Sequence, residues 1–256
     1  MYMKLMNESL KTILENKKAL FRALIVPLLF FVVIDLSFPN VIQNGKFIFL
    51  NETEKYLVIL LAFITFLINI SIAVSVHRIL LINDDISPWK SVSTTKRELK
   101  FFSKAFLLGI ISFLAYLIIL FFTTALLKIF LANDSFFVAF FLSLFVAIMI
   151  FSRFSMVLPA TAIDEKMSLY EALIFTKGYK FLSLYMVAIF PALISFLIMI
   201  VYGLIIKFLS GVVWEHFSIL YVLLNLFITT LVISCLSVTY KYIKEENYKN
   251  KAESDI

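Results

Sequence analysis

Reactive or metal-ligating side chains are sparse in this chain. Carboxylates pair at Asp84-Asp85 and at Asp164-Glu165, and two such pairs could hold a hard divalent cation through oxygen ligands. Neither pair has further acids at ligand spacing, so both read as membrane-edge acids, and no metal or cofactor is expected. The histidines are His77 and His216, and the single cysteine, Cys235, has Ser234 and Ser237 for neighbours. One thiol excludes a disulfide framework and a multi-thiolate metal site. No metalloprotease, nucleophile-elbow, P-loop or glycine-rich nucleotide signature occurs. Catalysis has little to build on, and the chain is not expected to be an enzyme.

Polar side chains set inside apolar stretches are a second kind of candidate. Asn69 lies with Ser71 and Ser75, and Asn225 with Thr229 and Thr230. Within a bilayer such groups hydrogen-bond between helices at about 0.6–2 kcal/mol each. Interhelical contact is therefore the expected role of Asn69 and Asn225, with a polar substrate path as the alternative. Arg153 stands alone. It divides an apolar stretch over residues 136–163, which as one helix would be about 42 Å long, matching a bilayer with its headgroups. At headgroup level Arg153 either snorkels or grips a lipid phosphate through paired hydrogen bonds. Lys177 and Lys180 are expected beside it, as parts of the same lipid-headgroup contact.

Composition sets the scaffold that carries these groups. Of 256 residues, 62% are hydrophobic and 16% charged, with a mean hydropathy of +1.00. A soluble domain is roughly 45–50% apolar and about 25% charged. This is an integral membrane protein. Six stretches approach the roughly 20 apolar residues a spanning helix needs: 19–38, 56–76, 105–127, 136–152, 182–206 and 217–240. They are continuous, whereas barrel strands would alternate. The first is expected to stay as an anchor, since its apolar run is too long for a cleavable signal and lacks a cleavage site.

Orientation follows from the cations, because cytoplasmic loops hold the positive excess. Of the 23 Lys and Arg, all but Lys46, Lys55, Lys128 and Lys207 fall in the tails and in the second and fourth connections. Both termini are expected in the cytoplasm. The net charge of +6 is spread along membrane edges, so anionic lipid headgroups are the expected partner, a protein partner stays open, and nucleic acid is not expected. Each Lys or Arg near an anionic leaflet contributes about 1 kcal/mol of attraction.

The approaches to the odd-numbered spans, residues 9–18, 93–104 and 168–180, each start at a hydroxyl residue and end in Lys. They predict three in-plane helices. Leu10, Ile13 and Leu14 share one face of the first. Ser168-Leu169-Tyr170-Glu171 is a capping box, and Gly178 suits the left-handed position that closes a helix. Pro27 and Pro191 are expected to kink the first and fifth spans, and Pro159 to bend or end the fourth. The fold class is all-α: a single polytopic membrane domain over residues 1–256, with six transmembrane helices and three short cytoplasmic amphipathic helices.

The segment from Arg153 to Pro159-Ala160, then Asp164-Glu165, Ser168, Glu171-Ala172-Leu173 and Thr176-Lys177-Gly178, resembles the YciC-like family of uncharacterised bacterial membrane proteins. It is also similar to the membrane domain fused to some glycerophosphodiester phosphodiesterases. The Ser-Trp-x-Leu common in that family's amphipathic helix is absent, as is any phosphodiesterase domain. The resemblance implies a six-span fold and a bacterial inner-membrane address, and no reaction. The expected function is a non-catalytic membrane component that organises lipid or partner proteins. A carrier of a small apolar or amphipathic solute is the alternative, and a lipid-acting enzyme the third reading.

Overall fold

In the computed structural model, residues 1–37, 42–43, 46–47, 52–130 and 135–254 are described. Ten α-helices follow one another there: α1 (Tyr2–Glu15), α2 (Lys17–Ser37), α3 (Glu52–Ile82), α4 (Lys96–Phe130), α5 (Ser135–Phe154), α6 (Val157–Ala162), α7 (Leu169–Phe175), α8 (Lys180–Leu184), α9 (Phe190–Val212) and α10 (Leu220–Ser254). A two-residue antiparallel pair, Ile42–Gln43 with Lys46–Phe47, lies between α2 and α3. Six helical stretches are long and apolar enough to cross a membrane, the fourth running Phe136–Ala162 and the fifth Lys177–Val212.

The helix α10 is the hub. In its most apolar stretch 56% of the residues are buried inside the protein, against 6% for the third span. It packs against α1, α2, α3 and α9, while the chief partner of α4 is α5. Buried Leu231, Cys235 and Tyr240 of α10 join Ile72, Val76 and Ile79 of α3 in the main core. Elsewhere the spans turn large apolar side chains outward, Phe113, Phe121 and Phe141 among them, as residues bathed in hydrocarbon should.

The three prolines act through the carbonyls they leave without a helical donor. Pro27 lies inside α2, and the Ala23 carbonyl one turn back accepts a short hydrogen bond from the Ser91 hydroxyl instead. Pro159 leaves the Ser155 carbonyl, which accepts from the Leu158 amide at 2.9 Å; the fourth span breaks there into α5 and α6. Pro191 opens α9, and the Val187 carbonyl it leaves lies in a π-helical turn over Tyr185–Ile189.

The in-plane segments differ from one another. The capping box at Ser168 is present, with the Glu171 side chain on the Ser168 amide and the Ser168 hydroxyl on the Glu171 amide. The first segment forms α1, but it buries Leu5, Ser9 and Ile13 against the bundle and leaves Leu10 and Leu14 exposed, so the expected Leu10–Ile13–Leu14 face is split. The second segment is no separate helix. After a 3-10 turn over Lys90–Val92, Glu98 accepts from the Thr95 amide at 2.8 Å, and α4 then runs unbroken into the third span. Gly178 does not close α7 in a left-handed conformation; it lies in a 3-10 turn, Lys177–Tyr179.

Candidate functional site

The starts of α2 and α4 and the ends of α3, α6 and α10 meet at one end of the bundle, joined there by charged side chains. Two residues turn the chain after even-numbered spans with positive φ, Asn83 at 51° and Asp164 at 64°. Asn and Asp are the non-glycine residues that tolerate this region best. Each turn places a carboxylate beside an arginine. Arg78, near the end of α3, donates to Asp84 at 2.7 Å, to Asp164 at 3.0 Å and to the Ala162 carbonyl at 3.2 Å. Arg97, in the first turn of α4, forks onto both oxygens of Asp164 at 2.9 and 2.8 Å. Arg22 reaches Asp85 at 2.7 Å, an exposed pair. Glu165 accepts from the Tyr240 hydroxyl at 2.6 Å and pairs closely with Lys244.

These contacts assign the two carboxylate pairs to the protein's own cations. Hydrogen bonding from Arg97, with the charges of Arg97 and Arg78, holds the Asp164 carboxyl below its ordinary value. Burial alone would raise Glu165, but hydrogen bonds from Lys244 and Tyr240 outweigh it and bring that carboxyl down as well. Among the described residues, no group of three or more His, Cys, Asp or Glu is placed to hold a metal ion.

Arg153 is committed inward. It donates through Nη2 to the Leu173 carbonyl at 2.7 Å and through Nε to the Thr176 hydroxyl at 3.1 Å, so it satisfies the C-terminal turn of α7, the job expected of Gly178. These contacts use two of the five N–H donors with which Arg153 was expected to meet a lipid phosphate. Lys177 and Lys180 are exposed nearby.

Among the described residues, neither Asn69 nor Asn225 makes a side-chain hydrogen bond to another helix. The Asn69 amide donates to the Thr65 carbonyl of its own helix at 2.9 Å, and Asn225 is exposed, with its backbone carbonyl taken by Thr229. A side chain that can bond its own previous turn needs no second helix. Groups that do link helices include His77, whose Nδ1 lies 2.7 Å from the Ser237 hydroxyl, and Ser234, which donates to the Ser9 carbonyl of α1 at 2.8 Å. Cys235 is buried between them. His216 is apart from all of these, stacked on Trp214 with centroids 4.6 Å apart.

Sequence reasoning passed over Arg22, Arg78 and Arg97. For Arg78 the available signal was its place about a turn before the end of α3, with Asn83 able to adopt positive φ just after it; nothing local to Arg22 or Arg97 points to Asp85 or Asp164. Compared with known proteins, the chain matches no family model, no curated protein and no solved structure.

Proposed function

We propose that the chain is a non-catalytic, multi-pass component of the bacterial inner membrane whose basic end faces the cytoplasm and retains anionic lipid. The observation that carries this reading is an edge of exposed lysines beside arginines that the protein itself engages. All four arginines, Arg22, Arg78, Arg97 and Arg153, are engaged by the protein's own carboxylates, carbonyls and hydroxyls. Lysines such as Lys17, Lys18, Lys90, Lys177 and Lys180 are exposed instead. Arginine suits fixed, forked contacts, while lysine is a mobile point charge on a long stem. An exposed lysine edge above apolar spans fits an anionic lipid surface, with about 1 kcal/mol of attraction per cation. The resemblance to the YciC-like family is consistent with this address.

The test is the lipid composition retained by protein extracted from nanodiscs of mixed phosphatidylglycerol and phosphatidylcholine. The wild type is expected to enrich phosphatidylglycerol, and a variant with those five lysines changed to Gln to lose the enrichment while melting as before. Equal lipid composition around both proteins would overturn the reading.

A carrier of a small apolar solute is the second reading. It draws support from the breaks in the fourth and fifth spans and from an apolar cavity of about 450 Å³ between α9 and α10, since discontinuous helices often flank transporter sites. It no longer draws on Asn69 and Asn225. Ile205→Trp, which narrows that cavity, would then abolish the protein's phenotype at unchanged abundance.

A further inference from the structure

We propose that the groove between the α1–α2 corner and α10 seats one anionic phospholipid, with an acyl chain along the groove and the phosphate on Lys17 and Lys18. This rests on the lipid-retaining function proposed above and names one site for it. The groove has a volume of about 310 Å³, with Leu14, Phe21, Ile25 and Leu28 on one side and Leu223 and Phe227 of α10 on the other. Leu14 and Phe21 are 66% and 67% exposed, so the groove opens to the outside of the bundle, where the hydrocarbon lies.

The chemistry of the lining selects the occupant. Lys17 is the one charged residue in it. Its hydroxyl, on Thr230, donates to the Leu226 carbonyl at 2.9 Å, so the walls present apolar surface to whatever lies between them. A ligand that fits must be an apolar chain with a negative charge at the basic end. Lys18 extends the positive rim into an adjoining depression of about 320 Å³ that it shares with Arg22 and Asp85. Arg22 and Asp85 neutralise each other at 2.7 Å, whereas Lys17 and Lys18 are exposed and make no ion pair among the described residues. Glu15 and Asp84 also line that depression, and they are paired with Lys11 at 3.4 Å and Arg78 at 2.7 Å, so the cations left without an ion pair at the mouth are Lys17 and Lys18. Beyond Leu223 and Phe227, which line both spaces, the groove adjoins the apolar cavity between α9 and α10, which gives a long chain room to continue.

The experiment is native mass spectrometry of the full chain released from nanodiscs of equal phosphatidylglycerol and phosphatidylcholine. One phosphatidylglycerol is expected to survive activation that strips the rest. Lys17→Gln with Lys18→Gln should weaken its retention by about 30-fold, the effect of two cations near an anionic group. Ile25→Trp, which fills the groove, should remove it. Phe21→Ser, at an exposed position where the fold is untouched, should weaken it too. Lys177→Gln with Lys180→Gln should lower the overall enrichment and leave this last lipid in place. Persistence of the last lipid in all the groove variants overturns the site while leaving the broader function standing. Absence of any phosphatidylglycerol enrichment in the wild type overturns both. A phosphatidylcholine held equally well, or a dimer that Ile25→Trp dissolves, overturns the assignment of the occupant.

Discussion

The Ser91 hydroxyl donates to the Ala23 carbonyl, the one that Pro27 leaves without a donor four residues on. Both residues are fully buried, and 68 positions of sequence separate them. The loop after the second span thus completes the first. Ser91→Ala is expected to cost about 1–2 kcal/mol of stability, the value of a buried hydrogen bond whose acceptor is left unpaired. In a Pro27→Ala background, where residue 27 regains its amide, the same change should be nearly neutral. A double-mutant cycle on thermal unfolding in detergent measures the coupling, and additive effects would contradict it.

Arg153 should matter for stability and not for lipid. Losing two hydrogen bonds from a charged donor to the end of α7, Arg153→Met should lower stability by about 1.5–3 kcal/mol. Arg153→Lys should fall between it and the wild type, since an ammonium lacks the fork that reaches Leu173 and Thr176 together. Anionic-lipid retention, measured alongside, should be the same in all three proteins.

Acid should loosen the basic end. Asp164 and Glu165 both titrate below their ordinary values of 3.8 and 4.5. The stability they contribute is therefore fully present above those values and is lost as pH falls through the lower, folded ones. Thermal unfolding followed from about pH 7 down to about pH 3 should show this loss. Asp164→Asn keeps a residue that tolerates positive φ and removes the charge, so it should start less stable and lose less on acidification. An unchanged pH profile in that variant would exclude Asp164 as a contributor.

Much of this molecule is local, and local features are legible in a sequence. Six apolar runs became six spans because a bilayer leaves helices no other way to satisfy their backbones. The Ser168–Glu171 capping box appears because it depends on residues three apart. What sequence did not reveal depends on distant partners. Arg153 was read as a snorkelling anchor or a lipid ligand because nothing near it in sequence shows that the Leu173 carbonyl returns to meet it. Asp84 and Asp164 were read as ordinary membrane-edge acids, and the partner they share, Arg78, lies 86 positions from Asp164. Asn69 was assigned to another helix on residue type alone, when its own previous turn was within reach.

Asn69→Ala should accordingly change stability by less than about 0.5 kcal/mol, as exposed substitutions usually do. His77→Ala should cost about 2 kcal/mol or more, because it opens a cavity between α3 and α10 and removes the contact with Ser237. Unfolding of the two variants side by side in detergent distinguishes glue from bystander. A larger loss in Asn69→Ala than in His77→Ala would reverse the assignment.

The orientation of the basic end underlies every statement about lipid, and one measurement reaches it directly. In a Cys235→Ser background, single cysteines replace Lys90, Tyr170 and Val212, all exposed positions, and intact cells are treated with a membrane-impermeant thiol reagent. The expected result is labelling at residue 212 alone, with residues 90 and 170 labelled only after the cells are opened. Labelling of residues 90 and 170 in intact cells, with residue 212 protected, would contradict the account.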